Sequence, residues 1–296
     1  MILWLTLLAC SGKDVAPTGW PDDGCGASTP AEGQSSSSGS TRERTLTLDD
    51  GTELAVAVRW PAGRGCVGAV VYAPPGLDPG TGAVLTEQSK AFAAAGAALI
   101  TYDPRGRGDS TGEEDANGRQ GQEDFAAVIR WAAWQDRVDP AQVVVYSRSF
   151  GGALAAGALG ADPELTVRGW VDYESPGWLQ DDLDHTTEHT RDRMNGLAED
   201  SGDVDAWFAE REPAGLVGDV AVPYHRMQGI PDHALDYLQA AVAMVNGATG
   251  SPRVSYNGVV QTDPLTEDEA YDGAYDGGLD PDGDTLRAEV LNAFKN

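Results

Sequence analysis

From residue 42 onward the chain alternates short apolar runs with amphipathic stretches of helical period, and this alternation limits its possible folds more than any other feature. A run such as Val67-Gly-Ala-Val-Val-Tyr-Ala73 carries no charge on either side of the pleat, so both of its faces need cover. Strands of that kind belong to mostly parallel sheets, where the crossover helices supply the cover. Ala97-Ala-Leu-Ile-Thr-Tyr102 and Gln142-Val-Val-Val-Tyr-Ser147 repeat the pattern, and further strands are expected over 168–173, 220–227 and, as the last, 253–258. Helices are expected near 83–95, over 119–135 and from Ser149; in the second, Phe125, Val128, Ile129, Ala132 and Ala133 share the inner side. Two strands at about 43–48 and 53–60 precede these, joined by the hairpin-type turn Asp49-Asp50-Gly51. The class expected is α/β, with a mostly parallel central sheet and helices on both faces.

Between Tyr173 and Val220 an acidic, Trp-containing stretch interrupts the alternation, with helical patches around 186–199 and 203–211. It reads as a small helical cap insertion, about 174–219, or as plain surface decoration.

The strongest local signal for chemistry is Tyr146-Ser147-Arg148-Ser149-Phe150-Gly151-Gly152, between an apolar strand and a helix of small residues. It fits the nucleophile elbow G-x-S-x-G with Ser147 in place of the first glycine. A sharp strand-to-helix turn exposes the Ser149 hydroxyl at the carboxyl end of the sheet. The helix start adds partial positive charge, and the Phe150 N–H can face a developing oxyanion.

With Asp103-Pro-Arg-Gly-Arg-Gly-Asp-Ser-Thr-Gly112, Gln122-Glu-Asp124, Ile129-Arg-Trp131 and the loop Pro75-Gly76-Leu77 in the same order, the chain resembles the α/β-hydrolase superfamily. The likeness is to its prolyl-oligopeptidase-like and X-Pro-peptidase or cocaine-esterase-like branches, and it covers residues 42 to about 260. It implies an α/β-hydrolase fold over 42–296, Ser149 as nucleophile, and Leu77 with Phe150 as the oxyanion hole. Arg105 and Asp109 read as members of a hydrogen-bonded turn. Ala221-Val-Pro-Tyr-His-Arg-Met-Gln-Gly229-Ile-Pro-Asp232 is similar to the segment that carries the family's acid, which puts Asp232 in that role. Asp232 also suits the N-cap of a helix at 233–246.

The family's base is a histidine after the last strand, where this chain has Gly258-Val-Val-Gln261, and no histidine follows His233. Serine is a poor nucleophile without a base. His233 adjoins Asp232 and is the candidate for a relocated base. His185 and His189, four apart in the cap, could reach the site or hold a metal, and His225 lies within a strand as a core residue. Two functions of different class follow. One is a serine hydrolase, an esterase or peptidase-like acyl hydrolase acting on a small-molecule ester or peptide substrate. The other is a catalytically impaired binding lipoprotein of the same fold. An imidazole within hydrogen-bond reach of Ser149 favours the first, and its absence favours the second.

The first ten residues end in Leu-Leu-Ala-Cys10 and resemble a bacterial lipobox, although no Lys or Arg precedes the apolar run. Lipid on Cys10 would anchor the protein at the cell envelope, on the outer membrane or periplasmic face; the alternative is a cytosolic protein with an apolar N-terminus. Residues 11–41, rich in Gly, Ser, Pro and Thr, read as a tether. Cys25 and Cys66 then remain, as a disulfide or as two free thiols. With 47 acidic and 20 basic side chains the net charge is −27, so nucleic acid is not expected as a partner for want of a basic stripe. No cofactor is expected. Asp280, Asp282 and Asp284 alternate in a C-terminal loop that could wrap a structural calcium ion; otherwise the loop is simply acidic, with Asp284 capping the final helix.

Overall fold

The computed structural model describes residues 13–15, 25, 39–63, 65–165, 167–280 and 283–295. Its strands are β1 (Lys13–Val15), β2 (Ser40–Thr47), β3 (Glu53–Trp60), β4 (Val67–Ala73), β5 (Ala97–Tyr102), β6 (Val138–Arg148), β7 (Gly169–Tyr173), β8 (Tyr224–Met227), β9 (Gly229–Ile230), β10 (Val254–Tyr256), β11 (Val259–Val260) and β12 (Tyr275–Asp276). Its helices are α1 (Glu87–Ala94), α2 (Arg119–Ala133), α3 (Gly151–Ala161), α4 (Leu179–Asp182), α5 (Glu188–Ser201), α6 (Val204–Ala209), α7 (Pro213–Leu216), α8 (Gln239–Gly247), α9 (Glu267–Gly273) and α10 (Asp284–Asn292). One sheet runs in the order β1-β2-β3-β5-β4-β6-β7-β8-β10-β11, and β9 pairs separately with β12. From β5 to β10 every neighbour is parallel, and β3 joins this block antiparallel.

The pleat sorts the central strands between two cores. Ala69, Val71, Val143 and Val145 point to one face, where Phe125, Val128 and Ile129 of α2, Leu154 of α3 and Met244 of α8 pack on them. Val70, Tyr72, Val144, Tyr146 and Val171 point to the other, under Phe92 of α1 and Leu286 and Val290 of α10. Both faces are buried, which is why these strands read as unbroken apolar runs. The side chains on α2 recur at helical spacing, as the sequence periodicity requires.

Several boundaries differ from expectation for local reasons. The helix near 83–95 is split, because Thr86 accepts the Ser89 N–H at 3.2 Å and starts α1 afresh. The strand over 220–227 shortens to β8: Pro223 has no N–H for a ladder, and only its carbonyl pairs, with the Trp170 N–H at 2.8 Å. β10 is not the last strand, since Asn257-Gly258, both at positive φ, turns the chain back into antiparallel β11. The helix expected over 233–246 starts only at Gln239, so Asp232 is not its N-cap. Asp284 is likewise the first residue of α10 rather than its cap, which is Gly283. Cys25 and Cys66 are joined as a disulfide, with Cα atoms 5.5 Å apart.

Candidate active site

Ser149 sits at φ 52° between β6 and α3, in the left-handed region that a residue with a Cβ rarely adopts. Two backbone bonds hold it there: Ser149 N–H donates to Tyr173 O at 2.9 Å, and Gly152 N–H donates to Ser149 O at 2.9 Å. Glycine is required just beyond the turn. A Cβ on Gly151 would lie 2.5 Å from the carbonyl oxygen of Ala73, and one on Gly152 would lie 2.0 Å from Ser175 Oγ. Sequence and geometry therefore agree on a strained elbow that presents a half-buried Ser149 side chain.

The amides of Leu77 and Phe150, the expected oxyanion donors, have no acceptor among the described residues. Their loops are tied together by Asn117, whose Nδ2 donates to Phe150 O at 2.9 Å and reaches Gly76 O at 3.4 Å. Arg107 in turn holds Asn117 Oδ1 at 2.7 Å and Glu114 Oε1 at 2.6 Å. Arg105 forms a fork on Asp124, at 2.6 and 2.7 Å, and thereby fixes the loop to α2; the Asp109 N–H donates to Asp103 at 3.1 Å. Helices α4 to α7 make up the insertion. Leu179, Leu183, Met194, Trp207 and Phe208 share one buried apolar cluster with Leu77 and Phe150, so the insertion lies over the elbow. Beneath it is a cavity of about 60 Å³ that Ser149 and Phe150 line together with Glu174, Leu179, Asp182 and Met194.

Ser147, the departure from the elbow pattern, belongs to a buried polar chain. Its hydroxyl donates to Asp172 Oδ1 at 3.1 Å and accepts the Trp170 indole N–H at 2.8 Å. Asp172 also receives the hydroxyls of Ser175 and Tyr224 and a 2.7 Å ion pair from Arg226, a guanidinium with no exposure at all. Arg226 continues to Gln228 Oε1 at 2.6 Å, and Gln228 Nε2 donates to Asp232 Oδ2 at 2.7 Å.

Asp232 Oδ1 accepts the N–H groups of Ala234 and Leu235 at 2.8 and 3.1 Å. Its nearest approach to His233 Nδ1 is 3.4 Å, whereas Glu174 Oε2 is 2.6 Å from the same nitrogen. Glu174 follows β7 directly, is 2 % exposed, and itself has φ 50°. No described side chain hydrogen-bonds Ser149 Oγ. His185 is held away, stacked on Tyr237 at 3.8 Å and bonded to Asp236 at 2.7 Å. His189 is exposed on α5, and His185 precedes that helix, so the four-residue spacing does not bring the two onto one helical face. His225 is a core residue between β7 and β10, with Nδ1 on Ser255 Oγ at 2.7 Å, and burial lowers its pKa to about 4. Burial raises that of Asp182, which lines the cavity, to about 6.

Among the described residues, the group able to offer three close metal ligands is Glu174, Asp232 and His233, their ligand atoms within 4.8 Å of one another. Both carboxylates already accept internal N–H donors. Cys10 and Asp282 lie outside the described residues. Asp284 pairs with Arg287. Glu174, Asp172, Arg226 and Gln228 were not singled out from sequence. A carboxylate immediately after an apolar strand, at the carboxyl edge of a parallel sheet, is the signal that marks Glu174.

Residues 50–171 match the family model described as X-Pro dipeptidyl-peptidase (S15 family). No curated protein matches the chain. Among solved structures, a puromycin-hydrolyzing peptidase of Mycobacterium tuberculosis is similar over 86% of this chain and 38% of its own, at 18% identity and a TM-score of 0.64. A Pyrococcus furiosus esterase is similar over 90% of this chain and 98% of its own, at 14% identity and a TM-score of 0.58. Prolyl oligopeptidase B of Galerina marginata is similar over 86% of this chain and 37% of its own, at 16% identity and a TM-score of 0.57. The chain thus spans 38% of the length of the puromycin-hydrolyzing peptidase. Strand order, elbow and matched segment together make the chain an α/β-hydrolase in fold, with an X-Pro-peptidase-like segment over residues 50–171.

Proposed function

We propose that the protein is a serine acyl hydrolase, esterase or peptidase-like, acting on small ester or amide substrates through Ser149, with His233 as its base. One observation carries this reading: Ser149 is held at a strained positive φ, and the amide N–H groups of Leu77 and Phe150 have no acceptor among the described residues. Such strain costs on the order of 1–3 kcal/mol, and an exposed nucleophile is the purpose it serves at an elbow. In the reaction Ser149 Oγ attacks the carbonyl carbon while its proton passes to His233 Nε2. The oxyanion lies against Leu77 and Phe150 N–H. His233 then returns the proton to the departing alcohol or amine, and water releases the acyl group by the same steps in reverse. Substrate entry has to bring His233 onto Ser149, since catalytic hydrogen bonds commonly tighten only in the complex.

The lack of any described hydrogen bond to Ser149 Oγ favours a second reading, in which the pocket binds without turnover. Labelling with a fluorophosphonate separates the two. Rapid labelling that Ser149→Ala abolishes supports the hydrolase, whereas no labelling at concentrations that modify ordinary serine hydrolases supports the binding protein.

The placement proposed is the bacterial cell envelope, through lipid on Cys10. The Cys25–Cys66 disulfide supports export, because such bonds persist in oxidising compartments. No helix among the described residues is long and apolar enough to cross a membrane. Metabolic labelling with a fatty-acid analogue, lost in Cys10→Ser, is the outcome expected.

A further inference from the structure

We propose that Glu174, rather than Asp232, is the carboxylate that orients His233 and balances its charge, so that the acid of this site is supplied by the end of β7. The proposal rests on the reading of Ser149 and His233 given above.

Register places Glu174 beside the nucleophile. Arg148 of β6 pairs with Tyr173 of β7, so Ser149 and Glu174 are each the first residue beyond a paired position. The Ser149 N–H bond to Tyr173 O, at 2.9 Å, locks that relation. On its other side β7 pairs Tyr173 with Met227 of β8, and the Glu174 N–H donates to Met227 O at 3.1 Å. Glu174 therefore stands between the strand that delivers Ser149 and the strand that delivers His233, and its side chain lines the same cavity as Ser149.

The two carboxylates near His233 are employed differently. Asp232 is engaged in its own turn: Oδ1 accepts Ala234 and Leu235 N–H, and Oδ2 accepts Gln228 Nε2 at 2.7 Å. It stands 3.4 Å from His233 Nδ1, too far for a strong bond. Glu174 Oε1 accepts the Gly229 N–H at 2.9 Å, and Oε2 takes both the His233 N–H at 3.3 Å and Nδ1 at 2.6 Å. Glu174 is thus fixed to the very loop that carries the imidazole.

A carboxylate on Nδ1 selects the tautomer with the proton there and leaves the Nε2 lone pair free to take a proton. When Ser149 loses its proton to Nε2, the imidazolium that forms sits against Glu174 Oε2. Glu174 is a positioning residue, since it acts only through His233.

The test uses the full chain, with p-nitrophenyl acetate as substrate, and compares wild type with Glu174→Gln, Glu174→Asp, Asp232→Asn, His233→Ala and Ser149→Ala. Glu174→Gln is expected to lower kcat by about 10³- to 10⁴-fold with KM changed only a few-fold, as loss of the orienting acid does elsewhere. Glu174→Asp should recover part of that loss, and Asp232→Asn should keep kcat within about tenfold. The downfield proton resonance of His233 Nδ1–H should be present in wild type and Asp232→Asn and absent in Glu174→Gln, whether or not the enzyme turns over. Loss of that resonance and of kcat in Asp232→Asn, with both retained in Glu174→Gln, overturns the proposal. If Glu174→Gln does not fold, the resonance and kcat of Asp232→Asn decide alone. Activity removed by a chelator and restored by zinc also overturns it, because the three residues would then be holding a metal. Unchanged rates in Ser149→Ala or His233→Ala sink the parent reading instead, while the resonance still reports on the Glu174 contact.

Discussion

The hydroxyl of Ser147 lies 2.8 Å from the indole nitrogen of Trp170, and both groups are buried without exposure. Glycine at this position would satisfy the elbow sterically yet leave the Trp170 N–H with no acceptor. An orphaned buried donor costs about 1–3 kcal/mol. Ser147→Gly, which restores the commoner elbow pattern, is therefore expected to destabilise the fold by that amount in urea unfolding. A neutral or stabilising result would show that the hydroxyl is not used as the geometry indicates.

Arg226 and Asp172 form an ion pair with 0% exposure on either side chain. Removing one partner strands the other charge in a dry interior, a loss of roughly 3–5 kcal/mol. Arg226→Met should cost that much. Arg226→Met combined with Asp172→Asn should cost less than the single change, because the amide that replaces the carboxylate carries no charge to strand. Equal losses in the single and double variants would mean that the pair is not coupled.

Much of this architecture was legible because apolar runs and small-residue helices are local signals. Val67–Ala73 and the helix over Phe125, Val128 and Ile129 declare their period within one segment. The elbow did so as well, and the structure places Ser149 at positive φ. What remained hidden depends on register between distant strands. Glu174 meets His233 across 59 residues and Arg226 meets Asp172 across 54, and neither pairing leaves a periodic trace. Asp232 takes the acid's role on the likeness of the 221–232 segment to the family's, a cue that says nothing of where its oxygens point. In space its oxygens turn to Ala234, Leu235 and Gln228.

The cavity under α4 and α5 is small, about 60 Å³, and Leu183 forms part of its wall. On the hydrolase reading proposed above, it would take an acyl group of only a few carbons. Leu183→Ala opens that wall, and each additional methylene accommodated is worth about tenfold in discrimination. With p-nitrophenyl esters, the ratio of kcat/KM for butyrate over acetate should rise by about tenfold or more in Leu183→Ala. An unchanged ratio would place the acyl chain elsewhere.

His225 is neutral in the fold, its pKa lowered by burial from 6.5 to about 4. The unfolded chain then binds a proton that the native one does not, so this group's contribution is complete above pH 6.5 and is lost as pH falls toward 4. Between about pH 7 and about pH 5 the loss is about 2 kcal/mol on linkage arithmetic. His225→Asn should be less stable than wild type near neutral pH, with a gap that narrows by about that amount at about pH 5. A gap constant with pH, measured by urea unfolding, would rule out His225 as the titrating group.

Asp182 acts in the opposite sense. Burial raises its folded pKa from 3.8 to about 6, against the opposing hydrogen bonds from Tyr237 and Gly177. The native state here holds a proton longer than the unfolded chain, so stability from this group is full below pH 3.8 and is lost as pH rises through 6. By neutral pH the charged carboxylate costs up to about 3 kcal/mol relative to its protonated form. Asparagine can keep both contacts, accepting the Gly177 N–H through its oxygen and donating to the Tyr237 oxygen through its amide. Asp182→Asn is accordingly expected to raise stability at about pH 7 by about 1–3 kcal/mol and to match wild type near about pH 4. Equal destabilisation at both values would mean that the carboxylate is held by its hydrogen bonds rather than penalised by its burial.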